Sequence, residues 1–178
     1  KGEDPNDLEK EKLTYNLCDI EHQYGLGGLH GARENYHGEG QYMRIDVSSF
    51  YPTLMINHNF ISRAAQKPEL YKKIYDERLR LKAAEDPKQE VYKIVLNATF
   101  GASKSKWNPL YDPRQFNNIT TCGQLILTHL IVVLEPYIEL IQSNTDGIIV
   151  KYENEELVRG MTQDFGDYWG LSFDFDLI

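Results

Sequence analysis

Residues 41–53 read QYMRIDVSSFYPT, and the reading of this stretch decides the organisation of the chain. Gln41–Val47 follows Gly40 and alternates apolar with polar residues, the pattern of a half-buried strand that closes at Asp46. Ser48 and Ser49 then supply helix-capping side chains, and Pro52 is tolerated in a first helical turn. Ser48–Asn57 is therefore expected to turn into a short helix.

A second carboxylate with a similar setting follows in the last third of the chain. Ile138–Ser143, then Asn144-Thr145-Asp146-Gly147, then Ile148–Tyr152 read as a β-hairpin whose tip carries Asp146. Adjacent strands lie about 4.8 Å apart, so a hairpin paired beside the first strand would let Asp46 and Asp146 reach a common point. Two hard oxygen ligands, completed by substrate phosphates and water, are how Mg²⁺ is usually held. A pair of such ions can activate one oxygen and stabilise the leaving one in an in-line phosphoryl displacement. Aspartate is also common in turns and at strand ends for structural reasons alone, and spacing leaves both readings open.

Charge is distributed unevenly between these two points. The chain carries 19 Lys and Arg against 27 Asp and Glu, a net −8 over 178 residues. Between Arg63 and Lys106, however, 11 basic residues face 6 acidic ones, a local +5 that leaves −13 for the remainder. A basic block in an acidic frame reads either as a module holding an anion over carboxylates or as a solvated helical pair. Two helices are expected here, separated at Glu85-Asp86-Pro87. Leu70, Ile74 and Leu81 would share the apolar face of the first, beside a face of Tyr71, Tyr75, Arg78 and Lys82. On the second, Val91, Val95 and Ala98 would form the buried stripe, with Lys93 and Asn97 on roughly the opposite side and Gly101 at its end.

The flanks complete the outline. Residues 1–23 look helix-compatible, with Asn6 as a cap before Leu8, and the glycine-rich Tyr24–Gly31 looks like a loop. Thr120–Leu134 should be a core helix stopped by Pro136, Glu153–Trp169 another helix, and Leu171–Leu177 a strand. The acidic balance argues against a small basic nucleic-acid module and against a membrane-surface binder, and no apolar run approaches the roughly 18 residues of a transmembrane span. Cys18 and Cys122 make no metal-ligand pattern and suggest a reducing compartment. The start at Lys1, without methionine or signal region, leads us to expect an excised or processed piece.

Three of these segments resemble, in order, the motifs of family B DNA polymerases, most closely the bacteriophage-type members. Asp46-Val47-Ser48-Ser49-Phe50-Tyr51-Pro52-Thr53 resembles motif A, DxxSLYPS; Lys93–Gly101 (KIVLNATFG) resembles motif B, KxxxNSxYG; Ser143–Gly147 (SNTDG) resembles the end of motif C, YGDTDS. The resemblance spans about residues 24–178. It implies an α+β palm: an antiparallel sheet backed by helices, with a two-helix fingers insertion. The palm would comprise 1–62 and 108–178 and the fingers 63–107, with exonuclease and thumb absent.

What the resemblance implies for the site follows residue by residue. Asp46 and Asp146 would bind two Mg²⁺ ions, with Mn²⁺ able to substitute, and the carbonyl of Val47 would add a ligand. Backbone N–H groups of Ser49, Phe50 and Tyr51 would cradle the β- and γ-phosphates. Tyr51 would lie beneath the sugar and exclude a 2′-hydroxyl. Lys93, Asn97, Arg78 and Lys82 would contact the triphosphate, and Gly27-Gly28 would lie near the template. The implied reaction is template-directed DNA synthesis, with primer-template DNA, deoxynucleoside triphosphates and the remaining exonuclease and thumb domains as partners, in the cytoplasm (of the host, for a phage protein). Departures from the motifs are Asn144 for the first acid of motif C, Gly147 for its final Ser, and Ala98 and Phe100 for Ser and Tyr of motif B. Tyr24 also stands one residue farther from its glycines than the YxGG spacing. The rival readings are an inert palm fragment, a metal-dependent nuclease, which would need neither Tyr51 nor Lys93 with Asn97, and an RNA-synthesising palm, against which the bulk of Tyr51 speaks.

Overall fold

The computed structural model describes residues 12–25 and 27–178. Seven strands form one antiparallel sheet in the order β1-β2-β3-β5-β6-β4-β7: β1 (Leu13–Leu17), β2 (Ile20–Gly25), β3 (Gly28–Ala32), β4 (Gln41–Val47), β5 (Ile138–Asn144), β6 (Gly147–Tyr152) and β7 (Phe173–Leu177). The helices are α1 (Phe50–Asn57), α2 (Glu69–Ala83), α3 (Gln89–Ala102), α4 (Pro113–Leu134) and α5 (Glu155–Trp169). The α+β class with an antiparallel sheet thus stands. The chain divides into two compact units, a helical one of Ser49–Thr120 and a sheet unit that runs to Ser48 and resumes at Thr121.

Alternation of side chains explains the sheet. On β4, Met43, Ile45 and Val47 are buried while Arg44 is exposed and Asp46 half-buried. Leu140 of β5 and Ile148, Val150 and Tyr152 of β6 join the same core. Helical partners for that core come from α4, where Leu127, Leu130, Ile131 and Leu134 are fully buried, and from α5, where Val158 and Phe165 are buried. Helix α5 starts where the Asn154 side chain accepts from Leu157 N at 3.0 Å and stops at Gly170 in the left-handed region.

Helix α4 corrects two expectations. It begins seven residues before Thr120, and its exposed Leu125 and Val132 leave it apolar on one side. Together with the 3₁₀ turn at Glu135–Tyr137 it is also long and apolar enough to cross a membrane. Its buried face and the bond of Thr128 Oγ1 with Tyr24 OH on β2, 3.0 Å, make it a core helix.

The largest departure lies near the start. Leu13–Leu17 and Ile20–Gly25 are strands, not helix; Asn6 and Leu8 lie outside the described residues. Cys18 and Asp19 both adopt positive φ, 54° and 59°, and form the two-residue turn of a hairpin without the usual glycine. The burial of Ile20 and His22, with Glu21 and Gln23 exposed between them, is the period-2 signal. Nor is Tyr24–Gly31 one loop: β2 and β3 enclose a turn beyond which Gly28 sits at φ 125°. His22 is fully buried; its Nε2–H donates to the Leu17 carbonyl at 3.2 Å and its Nδ1 accepts from the Ser143 hydroxyl at 2.9 Å.

The helical unit is built on tyrosine and arginine rather than on the expected aliphatic stripes. Tyr71, Arg78 and Leu81 are buried on α2, while Leu70 is 46 % exposed. On α3 only Leu96 is buried, and Val91 and Val95 are 61 % and 42 % exposed. The reason is the Tyr71 hydroxyl, which donates to the Leu96 carbonyl at 3.1 Å and lies 3.2 Å from Met55 Sδ, fixing which sides of α1, α2 and α3 meet. The unit extends beyond 63–107 at both ends because α1 and the first turns of α4 share this packing. Phe100 stacks on Phe116 at 4.9 Å, and Asp112 accepts from Arg63 N, Nε and Nη2 at 2.7–3.0 Å. That guanidinium holds the Asp112 carboxyl well below the usual carboxylate range.

Burial lowers the pKa of His22 from its ordinary value, so the folded state disfavours the imidazolium that the unfolded chain accepts. Stability is therefore retained above pH ~6.5 and falls as the pH drops below it, by at most ~1.4 kcal/mol per unit. Thermal melts at pH 7.5 and 5.5 should show this decline, and His22→Gln should flatten it.

Candidate active site

The site is built on one register. Strands β4 and β6 pair from Gln41↔Tyr152 to Asp46↔Gly147, which brings the tip of the β5–β6 hairpin alongside the end of β4. Val47 N donates to the Asp146 carbonyl at 2.7 Å and locks the two chain segments together at that point. Asp46 and Asp146 are thus neighbours in the sheet unit. Burial pushes the Asp46 carboxyl up from its ordinary pKa, the charge of Asp146 pushes it further, and Arg44 acts in the opposite direction. Val47 itself is buried, 4 % exposed.

Three charged residues that the sequence reading did not single out complete this surface. Asp46 pairs across the ladder with Asp174 of β7, and Arg44 with Asp176. Arg44 Nε lies 3.4 Å from Asp46 Oδ2 and its Nη2 lies 3.2 Å from Asp176 Oδ2. The Ser48 hydroxyl donates to Asp174 Oδ2. The alternation in Phe173–Leu177 (FDFDL), which puts both aspartates on one side of a strand, was the signal available. Among the described residues, no group of three or more His, Cys, Asp or Glu side chains is arranged to hold a metal ion. The donor set at this point is therefore a pair of hard carboxylates whose mutual repulsion a divalent cation would relieve. That chemistry fits Mg²⁺, which takes one or two carboxylates and fills its remaining positions with water and phosphate oxygens. The sheet unit also has concavities of about 640 Å³, beside Arg33, and about 700 Å³, beside Tyr36; neither is lined by Asp46 or Asp146.

The other expected residues lie in the helical unit. Ser49 adopts the left-handed region (φ 53°, ψ 41°) immediately before α1, and Thr53 N donates to its carbonyl at 2.9 Å. Phe50 is buried; its ring stacks on Tyr51 at 5.7 Å, and Tyr51 in turn meets Phe100 at 4.5 Å. Motifs A and B thus meet through an aromatic contact. Arg78 is only 6 % exposed, its Nη1 donates to Ser49 Oγ, and its buried Nε has no hydrogen-bond partner. A guanidinium so placed leaves an unfilled donor beside the turn that precedes α1, which suits an anion. Lys82, one turn along α2, is exposed. Lys93 and Asn97 are exposed on α3, and Lys93 Nζ lies 3.8 Å from Glu90. Gly27 faces the hairpin tip within the sheet unit: Thr145 Oγ1 donates to its carbonyl at 3.3 Å.

No family model and no curated protein matches the sequence. Among solved structures, the chain is similar to the family B DNA polymerase from the hyperthermophilic archaeon Pyrobaculum calidifontis, with TM-score 0.60 and 17 % identity. The match covers 82 % of this chain and 27 % of that polymerase, so the chain spans about a quarter of its length. The likeness establishes a fold shared with part of a polymerase.

An acid whose pKa is raised by folding resists ionisation in the native state, so its contribution disfavours the fold as the pH rises past 3.8. Asp46→Asn should therefore raise the melting temperature by a few degrees at pH 7 in EDTA, and the gain should vanish near pH 3. The lost Arg44 contact is half-exposed and contributes little.

Proposed function

We propose that this chain is the palm and fingers portion of a family B DNA polymerase and carries out template-directed nucleotidyl transfer. The observation that carries the reading is the convergence of Asp46 and Asp146 at the end of the β4–β6 ladder, in a fold similar to part of such an enzyme. The ordered motifs A, B and C add support, and they alone support the finer affiliation with bacteriophage-type members.

In this reading Asp46 and Asp146, with the Val47 carbonyl, hold two Mg²⁺ ions. When bound, the ions lower the pKa of a primer 3′-hydroxyl and balance the charge on the pyrophosphate that leaves. The chain itself positions and neutralises. Amides at Ser49, Phe50 and Tyr51 receive phosphate oxygens at the start of α1. Arg78, already buried and hydrogen-bonded to Ser49, offers its spare donor to the same anion. Lys82, Lys93 and Asn97 add flexible contacts from the fingers helices. Tyr51, backed by Phe50 and Phe100, is a rigid wall for the sugar with no room for a 2′-hydroxyl. The substrates in this reading are a deoxynucleoside triphosphate and primer-template DNA, and exonuclease and thumb domains of a longer polypeptide are the further partners. The cytoplasm is the compartment such a polymerase would work in.

The test is primer extension with Mg²⁺ or Mn²⁺, by this chain and by any longer polypeptide that contains it. Asp46→Ala and Asp146→Ala should each reduce incorporation at least about a hundredfold while the chain still melts cooperatively. Full residual extension would overturn the proposal, and DNA degradation without added nucleotides would point to a nuclease instead. Tyr51→Ala should admit ribonucleotides; unchanged sugar selectivity would remove that role.

A further inference from the structure

Gly147 directly follows Asp146 and sits opposite Asp46 in the β4–β6 ladder. Its backbone is not in the left-handed region, so no conformational reason calls for glycine here. The reason is space. A Cβ at this position would overlap Asp46 Oδ1, and would lie 2.7 Å from the Ile45 carbonyl oxygen and 3.1 Å from Asp46 Cγ. By contrast, a Cβ at Gly101 or Gly160 meets nothing within 4 Å. The Asp46 carboxylate therefore occupies the volume that a side chain at residue 147 would take.

We infer that Gly147 is a positioning residue: its missing side chain is the seat of the Asp46 carboxylate, and any larger residue evicts it. The inference rests on the reading of Asp46 as a cation ligand for its functional meaning, though not for its geometry. Of the groups crowding the added atom, the Ile45 carbonyl belongs to the ladder and cannot move without disturbing the Ile45↔Ile148 pair. The carboxylate is the free end of a side chain and can rotate to another staggered well. It therefore yields first. Leaving its seat alters its distance to Asp146 and to Arg44, the two charged groups that act on it most strongly.

Two measurements on the 178-residue chain test this. Asp46 χ1, read from NMR side-chain couplings, should change rotamer in Gly147→Ala and stay unchanged in Gly160→Ala. An unaltered Asp46 rotamer in Gly147→Ala overturns the inference. Mn²⁺ affinity, read by electron paramagnetic resonance, should fall about tenfold in Gly147→Ala. Adding Gly147→Ala to Asp46→Asn should cause no further loss; a second loss of equal size would mean mere structural damage and overturn the positioning role. Failure of the unmutated chain to bind Mn²⁺ would count against the proposed function, while the rotamer would still decide the role of Gly147. Should Gly147→Ala prove too unstable for NMR, Asp46→Ala in the same chain should recover part of its melting temperature, the rest being the Ile45 carbonyl contact at 2.7 Å that this change leaves in place, and no recovery at all overturns the inference.

Discussion

The pairing of β4 with β6 is the constraint on which the site depends. It sets Asp46 against Gly147, carries Asp146 on the adjoining turn and turns Ile45 and Ile148 into a common core. Because side chains alternate along a strand, a slip of one residue would bury Arg44 and Asp46 and expose Met43 and Ile45. Burying two charges against an apolar helix layer costs far more than a single ladder position contributes, so the register is held firmly. The carboxylates are thus close because the hydrophobic face leaves no alternative, and their repulsion is tolerated rather than avoided.

A different solution operates in the helical unit. There a buried guanidinium and a buried tyrosine, not aliphatic stripes, define how the helices meet. Arg78 retains an unused donor inside protein, at a cost of about 1–3 kcal/mol.

Much of this was legible in the sequence, and the misses have identifiable causes. The strand Gln41–Val47, the hairpin around Asp146 and both helices of the basic block were readable because their periods are unambiguous over six or more residues. The β1–β2 hairpin was not, since its Cys18-Asp19 turn lacks glycine and its charged exposed positions mimic a solvated helix. On α3, two sets of apolar residues share helical spacing, Val91-Val95-Ala98 and Tyr92-Leu96-Phe100, and periodicity cannot choose between them. The choice fell to a tertiary hydrogen bond from Tyr71. For the site, the two aspartates could be found from their places in the motifs, whereas Arg44, Asp174 and Asp176 matter only through cross-strand neighbours that no local pattern records.

The interrupted course of the sheet unit also dictates the order in which it can be made. Strand β4 has both of its neighbours, β6 and β7, in the segment from Gly147 to Leu177, after the whole helical unit has been synthesised. On a ribosome emitting residues from the N-terminus, both edges of β4 must wait for roughly a hundred further residues before the first can be paired. During that interval the helical unit, rich in contacts close in sequence, is free to fold, while the sheet waits on loop closure across the entire insertion. Assembly of the carboxylate pair accordingly follows the synthesis of the helical unit.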